Sequence, residues 1–175
     1  MHILVAVILA YLTGAIPTSV WAGKWVSGID IREHGSGNAG ATNMIRVLGL
    51  KIGIPVLLID IFKGWLAVKY ASLLRVYEPG SEAFVNFSIL LGIMAVLGHI
   101  YPIYAGFRGG KGVASIFGVL LALSPLSTLS GAAVFLLGLF TTRYVSVSSM
   151  AAGISFPFWI IWVYRTPFDG LKIFS

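Results

Sequence analysis

A glycine-rich polar tract occupies residues 35–46, where the sequence reads Gly-Ser-Gly-Asn-Ala-Gly-Ala-Thr-Asn-Met-Ile-Arg. Glycine lets the backbone turn its N–H groups toward an anion, and the stretch 42–48 can begin a helix whose N-terminus favours negative charge. The tract therefore predicts an anion site, although a re-entrant loop whose Asn and Thr side chains only cap helices is the alternative. The residues expected to contact the anion are Gly35, Ser36, Gly37, Asn38, Gly40, Thr42, Asn43 and Arg46.

A second glycine-rich segment, residues 107–112, reads Phe-Arg-Gly-Gly-Lys-Gly and directly precedes an apolar stretch. Two cations in a glycine-rich turn that begins a helix suit phosphate, although an ordinary basic cytoplasmic turn fits equally well. The segment is not a Walker A loop, since Ala105 stands where such a loop needs glycine and Gly112 where it needs Ser or Thr. The residues expected to bind substrate here are Arg108, Gly109, Gly110, Lys111 and Gly112.

Further polar residues lie in or beside apolar segments. Asp60 and Lys63 stand near the middle of one segment, spaced so that they can pair on one helix face, either for function or only to neutralise each other. His99 is a candidate base, phosphate ligand or hydrogen-bonded core residue. The segment 143–149 contains Ser146, and taken alone its pattern is more typical of an interfacial arginine and tyrosine with a serine N-cap than of a site.

The elements that must position these residues belong to a membrane protein. Hydrophobic residues make up 58% of the 175 and charged residues 10%, with a mean hydropathy of +0.94, too few polar residues to cover a soluble domain. The sequence predicts one all-α polytopic domain over residues 1–175. A G-x-G-x-x-G pattern at 35–40 is not a dinucleotide fingerprint, because no strand precedes it. The absence of cysteine excludes disulfides and a cysteine nucleophile.

Six apolar segments predict a compact bundle of six transmembrane helices. The first, 3–22, is long enough to cross about 30 Å of hydrocarbon and is interpreted as a retained helix rather than a signal peptide. The others are 52–74, 84–106, 113–123, 126–142 and 147–164. A break at Ser124–Pro125 into two antiparallel helices is preferred to one kinked helix. It keeps the three connections rich in Lys and Arg, residues 24–51, 107–112 and 143–146, on one face.

Positive charge then predicts the orientation and the partners. The connections rich in Lys and Arg are expected in the cytoplasm, which places the N-terminus outside. The formal net charge of +6 is attributed to these cytoplasmic loops and to a phosphate-bearing substrate, with no nucleic acid partner.

Together, five motifs resemble one family, the bacterial acyl-phosphate-dependent glycerol-3-phosphate acyltransferases of the PlsY type. The resemblance covers about residues 1–165. The motifs are Ser-Gly-Asn-Ala-Gly-Ala-Thr-Asn at 36–43 with Arg46, Asp-Ile-Phe-Lys-Gly at 60–64, Gly98-His99 with Pro102, Phe-Arg-Gly-Gly-Lys-Gly-Val-Ala at 107–114 and Tyr-Val-Ser at 144–146.

The resemblance implies an enzyme of phospholipid synthesis in the bacterial inner membrane. It would move a fatty acyl group from acyl phosphate to the 1-hydroxyl of sn-glycerol 3-phosphate, giving lysophosphatidic acid and phosphate. No cofactor or metal is expected, the partners are both substrates and membrane lipid, and a monomer is the expectation. The residues expected to be catalytic are Ser36, Arg46, His99, Lys111 and Ser146, with Lys63 and the loop residues above binding substrate.

The pattern departs from the family at its end. A seventh helix and a tail with His-x-x-Asn and a nearby glutamate are expected from the family, and none of these follows Phe168. A truncated last helix is therefore expected. The rival hypothesis from another class is a small transporter or channel for an anionic solute, with the glycine-rich loops as re-entrant filters. This hypothesis does not explain why two loops suited to phosphate would lie on one face. The sequence also contains no visible inverted repeat, which many transporters have.

Overall fold

The computed structural model describes residues 2–165, apart from the side chains of residues 145, 146, 164 and 165. This part of the chain is helical and contains no strand, which confirms the predicted all-α class. The α-helices are α1 (His2–Gly14), α2 (Thr18–Ser27), α3 (Ala41–Leu48), α4 (Leu50–Leu73), α5 (Glu82–Ile100), α6 (Val113–Leu123), α7 (Pro125–Thr142) and α8 (Val145–Arg165). Two 3-10 turns, Ile31–Glu33 and Ile103–Ala105, lie in the connections.

The first apolar segment differs from the prediction, because it is interrupted between Gly14 and Thr18 instead of forming one helix over 3–22. Pro17 has no N–H to donate to the preceding turn. Just before it, the N–H of Ile16 donates to Thr13 O, three residues earlier instead of four, at 3.4 Å. Hydropathy alone does not register this break, because every residue around it is apolar or small. The interruption leaves the carbonyl of Ile16 available for tertiary hydrogen bonds.

Three helical segments of the described chain are long and apolar enough to cross a membrane: His2–Ser27, Glu82–Ala105 and Pro125–Thr142. Shorter apolar helices cover Val113–Leu123 and Val147–Val163. Helix α4 has sufficient length at 24 residues, but it carries Lys51, Asp60, Lys63 and Lys69. The six predicted crossings therefore stay a prediction, while the helical membrane architecture stands.

Small residues allow the helices of the first compact unit, which extends to Ala122, to approach each other closely. A Cβ on Gly14 would overlap the backbone of Ala95, so α1 and α5 touch main chain to main chain. Helices α4 and α6 meet in the same way, since a Cβ on Gly64 would overlap the carbonyl of Ser115. Such contacts are typical of membrane helices, where packing replaces hydrophobic driving force. They bring residues near the middle of α4 beside the start of α6.

The second unit begins at Leu123 and contains the pair α7 and α8. The predicted break at Ser124–Pro125 is confirmed, since α6 ends at Leu123 and α7 begins at Pro125, a residue suited to the first position of a helix. Within this unit Gly131 lies beside Ala152 and Phe156, while Gly138 lies beside Ser148. The two helices are therefore antiparallel.

Candidate active site

The first glycine-rich loop is organised by Asn43, which is 1% exposed at the start of α3. Its Nδ2 donates to the carbonyls of Ile31 (3.1 Å) and His34 (2.9 Å), and its Oδ1 accepts from the N–H of Ser36 (2.8 Å). This arrangement requires glycine at position 35, because the φ of Gly35 is +62° and a Cβ there would overlap Asn43 Oδ1. Asn43, expected to bind substrate, thus has its amide committed to the backbone of the loop.

Arg32 connects this loop to the second one. Its guanidinium donates to both carboxylate oxygens of Asp30, from Nε at 2.9 Å and Nη2 at 2.7 Å. Nη1 reaches across to the carbonyls of Ala105 (2.8 Å) and Arg108 (3.3 Å). Hydrogen bonding and charge from Arg32 hold the pKa of Asp30 at about 2, and the same carboxylate raises the pKa of Arg32. The pair is a charged clamp that fixes the distance between the loops.

The second loop folds back onto the C-terminal end of α5. The N–H of Gly109 donates to Ile100 O (3.1 Å) and that of Gly110 to His99 O (3.2 Å). These two N–H groups therefore donate to carbonyls at the end of α5, whereas the sequence analysis expected Gly109 and Gly110 to bind substrate. A Cβ on Gly110 would overlap His99 Nε2 and press against the carbonyl of Ala39, so glycine is required for the loops to touch. Helix α6 begins at Val113. Within its first turn, Ile116 N–H donates to Gly112 O at 2.8 Å, while the N–H groups before it have no carbonyl of the same helix to which they can donate.

A buried polar network lies beneath the second loop. Asp60 Oδ1 accepts from Lys63 Nζ at 2.9 Å and from Thr18 Oγ1 at 3.1 Å. Lys63 also donates to Ile16 O at 2.8 Å, the carbonyl that the break in the first span leaves available. Asp60 is 1% exposed and Lys63 3%, so the pair combines full burial with supplementary hydrogen bonds.

The network continues to His99 through Ser115, which is fully buried. Ser115 Oγ lies 3.2 Å from the carbonyl oxygen of Asp60 and 3.2 Å from His99 Nδ1. The Asp60 carboxylate stands 3.7 Å from the same ring nitrogen. Four helices thereby contribute to one chain of polar contacts that ends at the glycine-rich loop.

The cations above this network are unpaired. Arg46, Arg108 and Lys111 are exposed, and their side chains have no hydrogen bond or ion pair to any other residue in the described range. Ser36 and Thr42 are exposed as well, whereas Asn38 and Gly40 are partly buried. The structure thus separates the expected site residues into buried ones that hold geometry and exposed ones that are free to meet a ligand.

Two further expectations concern residues of the second unit. Arg143 ends α7 in the second unit with a left-handed φ of 60°, and the side chain of Ser146 lies outside the described residues. Their expected place on the face of the two glycine-rich loops therefore stays a prediction. No group of three or more His, Cys, Asp or Glu residues suited to a metal occurs in the part of the chain that the structure describes.

The sequence missed four contributors to this region, Thr18, Asp30, Arg32 and Ser115. Thr18 directly follows Pro17, and a hydroxyl beside a helix break is a recognisable signal for a tertiary hydrogen bond. Asp30 and Arg32, two residues apart in a polar loop, are a second signal. Ser115 carries no such signal, since a serine in an apolar helix ordinarily bonds to its own preceding turn.

The fold and this region define an integral membrane protein with a cationic, glycine-rich surface suited to phosphate-bearing compounds. A profile of the glycerol-3-phosphate acyltransferase family matches residues 4–174. Glycerol-3-phosphate acyltransferase from Chlorobaculum tepidum is 46% identical over 170 residues, which cover 95% of this chain and 73% of the relative. The protein of that name from Streptococcus equi subsp. zooepidemicus is 48% identical over 154 residues, 88% of this chain and 68% of the relative.

Solved structures agree with this assignment. The crystal structure of PlsY, an integral membrane glycerol 3-phosphate acyltransferase, in its glycerol 3-phosphate form is 36% identical with a TM-score of 0.77, covering 99% of this chain and 82% of that one. Its lysophosphatidic acid form gives a TM-score of 0.78 with the same identity and coverage. The chain belongs to the glycerol-3-phosphate acyltransferase family.

Proposed function

We propose that the protein transfers a fatty acyl group from acyl phosphate to the 1-hydroxyl of sn-glycerol 3-phosphate, releasing lysophosphatidic acid and phosphate. Family membership supports the acyl transfer, and the names of the PlsY structures support glycerol 3-phosphate as acceptor and lysophosphatidic acid as product. The assignment of acyl phosphate as donor is supported by the motifs and by the number of basic loops. Two phosphate-bearing substrates account for two glycine-rich basic loops better than one does.

The observation that carries the proposal is the contrast between fixed loops and free cations. Arg32 and Gly110 hold the two loops in contact, while the side chains of Arg46, Arg108 and Lys111 have no partner among the described residues. We assign these three cations to the two phosphates, because charge-assisted hydrogen bonds are the strong ones and arginine fits phosphate in a bidentate way. The N–H groups of the first turn of α6 add to the anion site.

The remaining expected residues have supporting roles. Exposed Ser36 and partly buried Asn38 orient the acyl phosphate or the glycerol hydroxyl, and Ser146 is assigned the same task on the basis of its motif. Acyl phosphate is already activated, so no protein nucleophile is required. The barrier falls through positioning and through donors that face the developing oxyanion. The loops are assigned to the cytoplasmic side of the inner membrane, with the N-terminus outside.

Purified protein tests the donor directly. Protein in detergent receives glycerol 3-phosphate with either acyl phosphate or acyl-CoA, and both lysophosphatidic acid and released phosphate are measured. We expect equal amounts of the two products with acyl phosphate and none with acyl-CoA. Glycerol in place of glycerol 3-phosphate controls for the acceptor phosphate and should give no product. Product from acyl-CoA but not from acyl phosphate would overturn the proposal.

A further inference from the structure

We infer that the buried pair of Asp60 and Lys63 fixes α1 and α2, the two halves of the broken first span, and thereby positions the first glycine-rich loop for substrate. Both are positioning residues, since their charged groups bond to the residues at the break. The kinetic part of the inference rests on the proposed function, whereas the structural part does not. Lys63, expected from the sequence to bind substrate, is thereby assigned to the protein's own backbone.

The break between α1 and α2 leaves polar backbone groups that the two helices do not satisfy by themselves. The N–H of Thr18 donates to Ile16 O at 3.0 Å, only two residues earlier, and Pro17 provides no side-chain cap for α2. Such groups are costly inside a membrane unless other parts of the protein satisfy them. The helix ends also carry partial charge, negative at the C-terminal end of α1 and positive at the N-terminal end of α2.

The ion pair supplies a charge of the opposite sign to each side of this break. Lys63 Nζ donates to Ile16 O at 2.8 Å, two residues beyond the end of α1. Asp60 Oδ1 accepts from Thr18 Oγ1 at 3.1 Å, and Thr18 is the first residue of α2. The ammonium therefore lies at the negative helix end and the carboxylate at the positive one. A pair that only neutralised itself would need neither contact.

Helix α4 carries both charged groups one turn apart, near its middle. The contacts therefore attach α1 and α2 to the same turn of a third helix. Because Asp60 and Lys63 are almost fully buried, water does not compete for these contacts, and substrate has little access to either group.

Packing connects α2 to the first glycine-rich loop. Val20 on α2 belongs to one buried apolar cluster with Ile31, which lies before the glycine-rich tract, and with Ala39 and Met44 inside it. Ile31 and Met44 are fully buried, so the cluster has no exposed side along which they could slide. A shift of α2 would therefore displace the tract, including Arg46, which stands two residues after Met44 on α3.

Distances between spin labels test the structural part without an activity measurement. The chain contains no cysteine, so labels attach only to cysteines that are introduced. Val26→Cys with Leu73→Cys reports the position of α2 relative to α4, and Leu50→Cys with Leu73→Cys is the reference pair within α4, all at exposed positions. Asp60→Leu/Lys63→Met, which leaves no buried charge unpaired, should broaden the first distance distribution and leave the second unchanged.

A milder variant makes the same test with both charges in place. Thr18→Val removes the hydroxyl that joins α2 to Asp60 while nearly preserving the shape of the side chain. It should broaden the distance distribution between positions 26 and 73 to a smaller extent. The matched control is Thr128→Val, another buried threonine, whose hydroxyl donates to Ser124 O at 2.7 Å one turn earlier, and it should leave both distributions unchanged.

Kinetics with acyl phosphate test the effect on the site. Thr18→Val should lower kcat/KM for glycerol 3-phosphate about threefold to tenfold, the effect of one hydrogen bond. Asp60→Leu/Lys63→Met should lower it about tenfold to 10²-fold, the effect of a displacement of about 1 Å in the site. We expect KM to change more than kcat, because the displaced loop is the one assigned to phosphate. Thr128→Val should match the wild type in both constants.

Each result supports or overturns the inference. An unchanged distance between positions 26 and 73 in Asp60→Leu/Lys63→Met would contradict the structural part and would mean that the pair only neutralises itself. Wild-type kcat/KM in that variant and in Thr18→Val would contradict the positioning of the loop. Failure of the proposed function gives a different pattern, in which wild-type protein forms no lysophosphatidic acid from acyl phosphate although the distances change as expected.

Discussion

The first compact unit treats its polar side chains in two opposite ways. In the buried network, Asp60, Lys63 and Ser115 each have hydrogen-bond partners within the protein. On the surface above it, Arg46 and Lys111 have none among the described residues. The two sets lie close together in the sequence, since Lys111 in the second loop precedes Ser115 in the first turn of α6 by only four residues. Burial therefore separates residues that maintain geometry from residues that await a ligand.

Energetics explain why the two sets differ. An unpaired charge in the interior costs several kcal/mol, so a buried ion pair survives only with excellent geometry and additional hydrogen bonds. An exposed cation is solvated by water, so the absence of a protein partner has little effect on the free energy of unfolding. Changes in the buried network should accordingly reduce stability, and changes in the exposed cations should reduce activity alone. The predictions below test this division.

The largest effect is expected from Lys63→Met, which leaves the Asp60 carboxylate buried without its cation. We expect the free energy of unfolding in detergent to fall by about 3–5 kcal/mol. The double variant Asp60→Leu/Lys63→Met should recover much of this loss, because no charge remains unpaired. Lys69→Met is the control on the same helix. Its ammonium lies 5.5 Å from the Trp65 ring centre, an interaction of about 0.5–1 kcal/mol. Equal losses of unfolding free energy in Lys63→Met and Lys69→Met would contradict the special role of the buried ion pair.

The next effect concerns the exposed cations. Lys111→Ala and Arg46→Ala should each lower kcat/KM for glycerol 3-phosphate about tenfold to 150-fold, because a hydrogen bond to a charged group contributes about 1.5–3 kcal/mol. Stability should stay within about 0.5 kcal/mol of the wild type. Steady-state kinetics and denaturation in detergent measure the two quantities. Lys51→Ala, an exposed cation outside both glycine-rich loops, should change neither, and a comparable loss there would indicate only general electrostatics.

This division also marks what the sequence could predict. Glycines and cations identified both loops, and hydropathy identified five of the helices, α4 to α8, because these signals are local. Helix α6 and the break at Pro125, for example, lie where the sequence pattern predicted them. Ser115 was missed because its partners, Asp60 and His99, lie 55 and 16 residues away. The close approach of α4 and α6 at Gly64 creates that contact. Asn43 was assigned to substrate on type alone, since a sequence does not reveal which polar group faces its own loop.

A smaller effect should follow from Arg32→Lys, which retains the charge but shortens the reach to the second loop. Arg32 donates to Asp30 and to the carbonyls of Ala105 and Arg108, and lysine cannot reproduce that fork. We expect a loss of about 1 kcal/mol in stability and faster hydrogen exchange in residues 102–112. Exchange in α7 and α8 serves as the internal reference. Unchanged exchange in the second loop would mean that Gly109 and Gly110 alone hold it to α5.

The smallest effect is a pH dependence within the same clamp. The pKa of Asp30 is lowered from 3.8 to about 2 in the folded protein, chiefly by its hydrogen bond from Arg32. A lowered pKa means that the unfolded chain binds the proton more readily, so the stabilisation is complete above pH 3.8 and is lost as the pH falls toward 2. The stability difference between wild type and Asp30→Asn should therefore be constant from pH 8 to about pH 5, at about 1 kcal/mol or less, and shrink only in stronger acid. A difference that already declined near pH 6 would show that another group controls the clamp. Constancy across the neutral range would mean that the contact between the loops does not titrate, so any change of activity with pH there originates at the groups that meet the substrate.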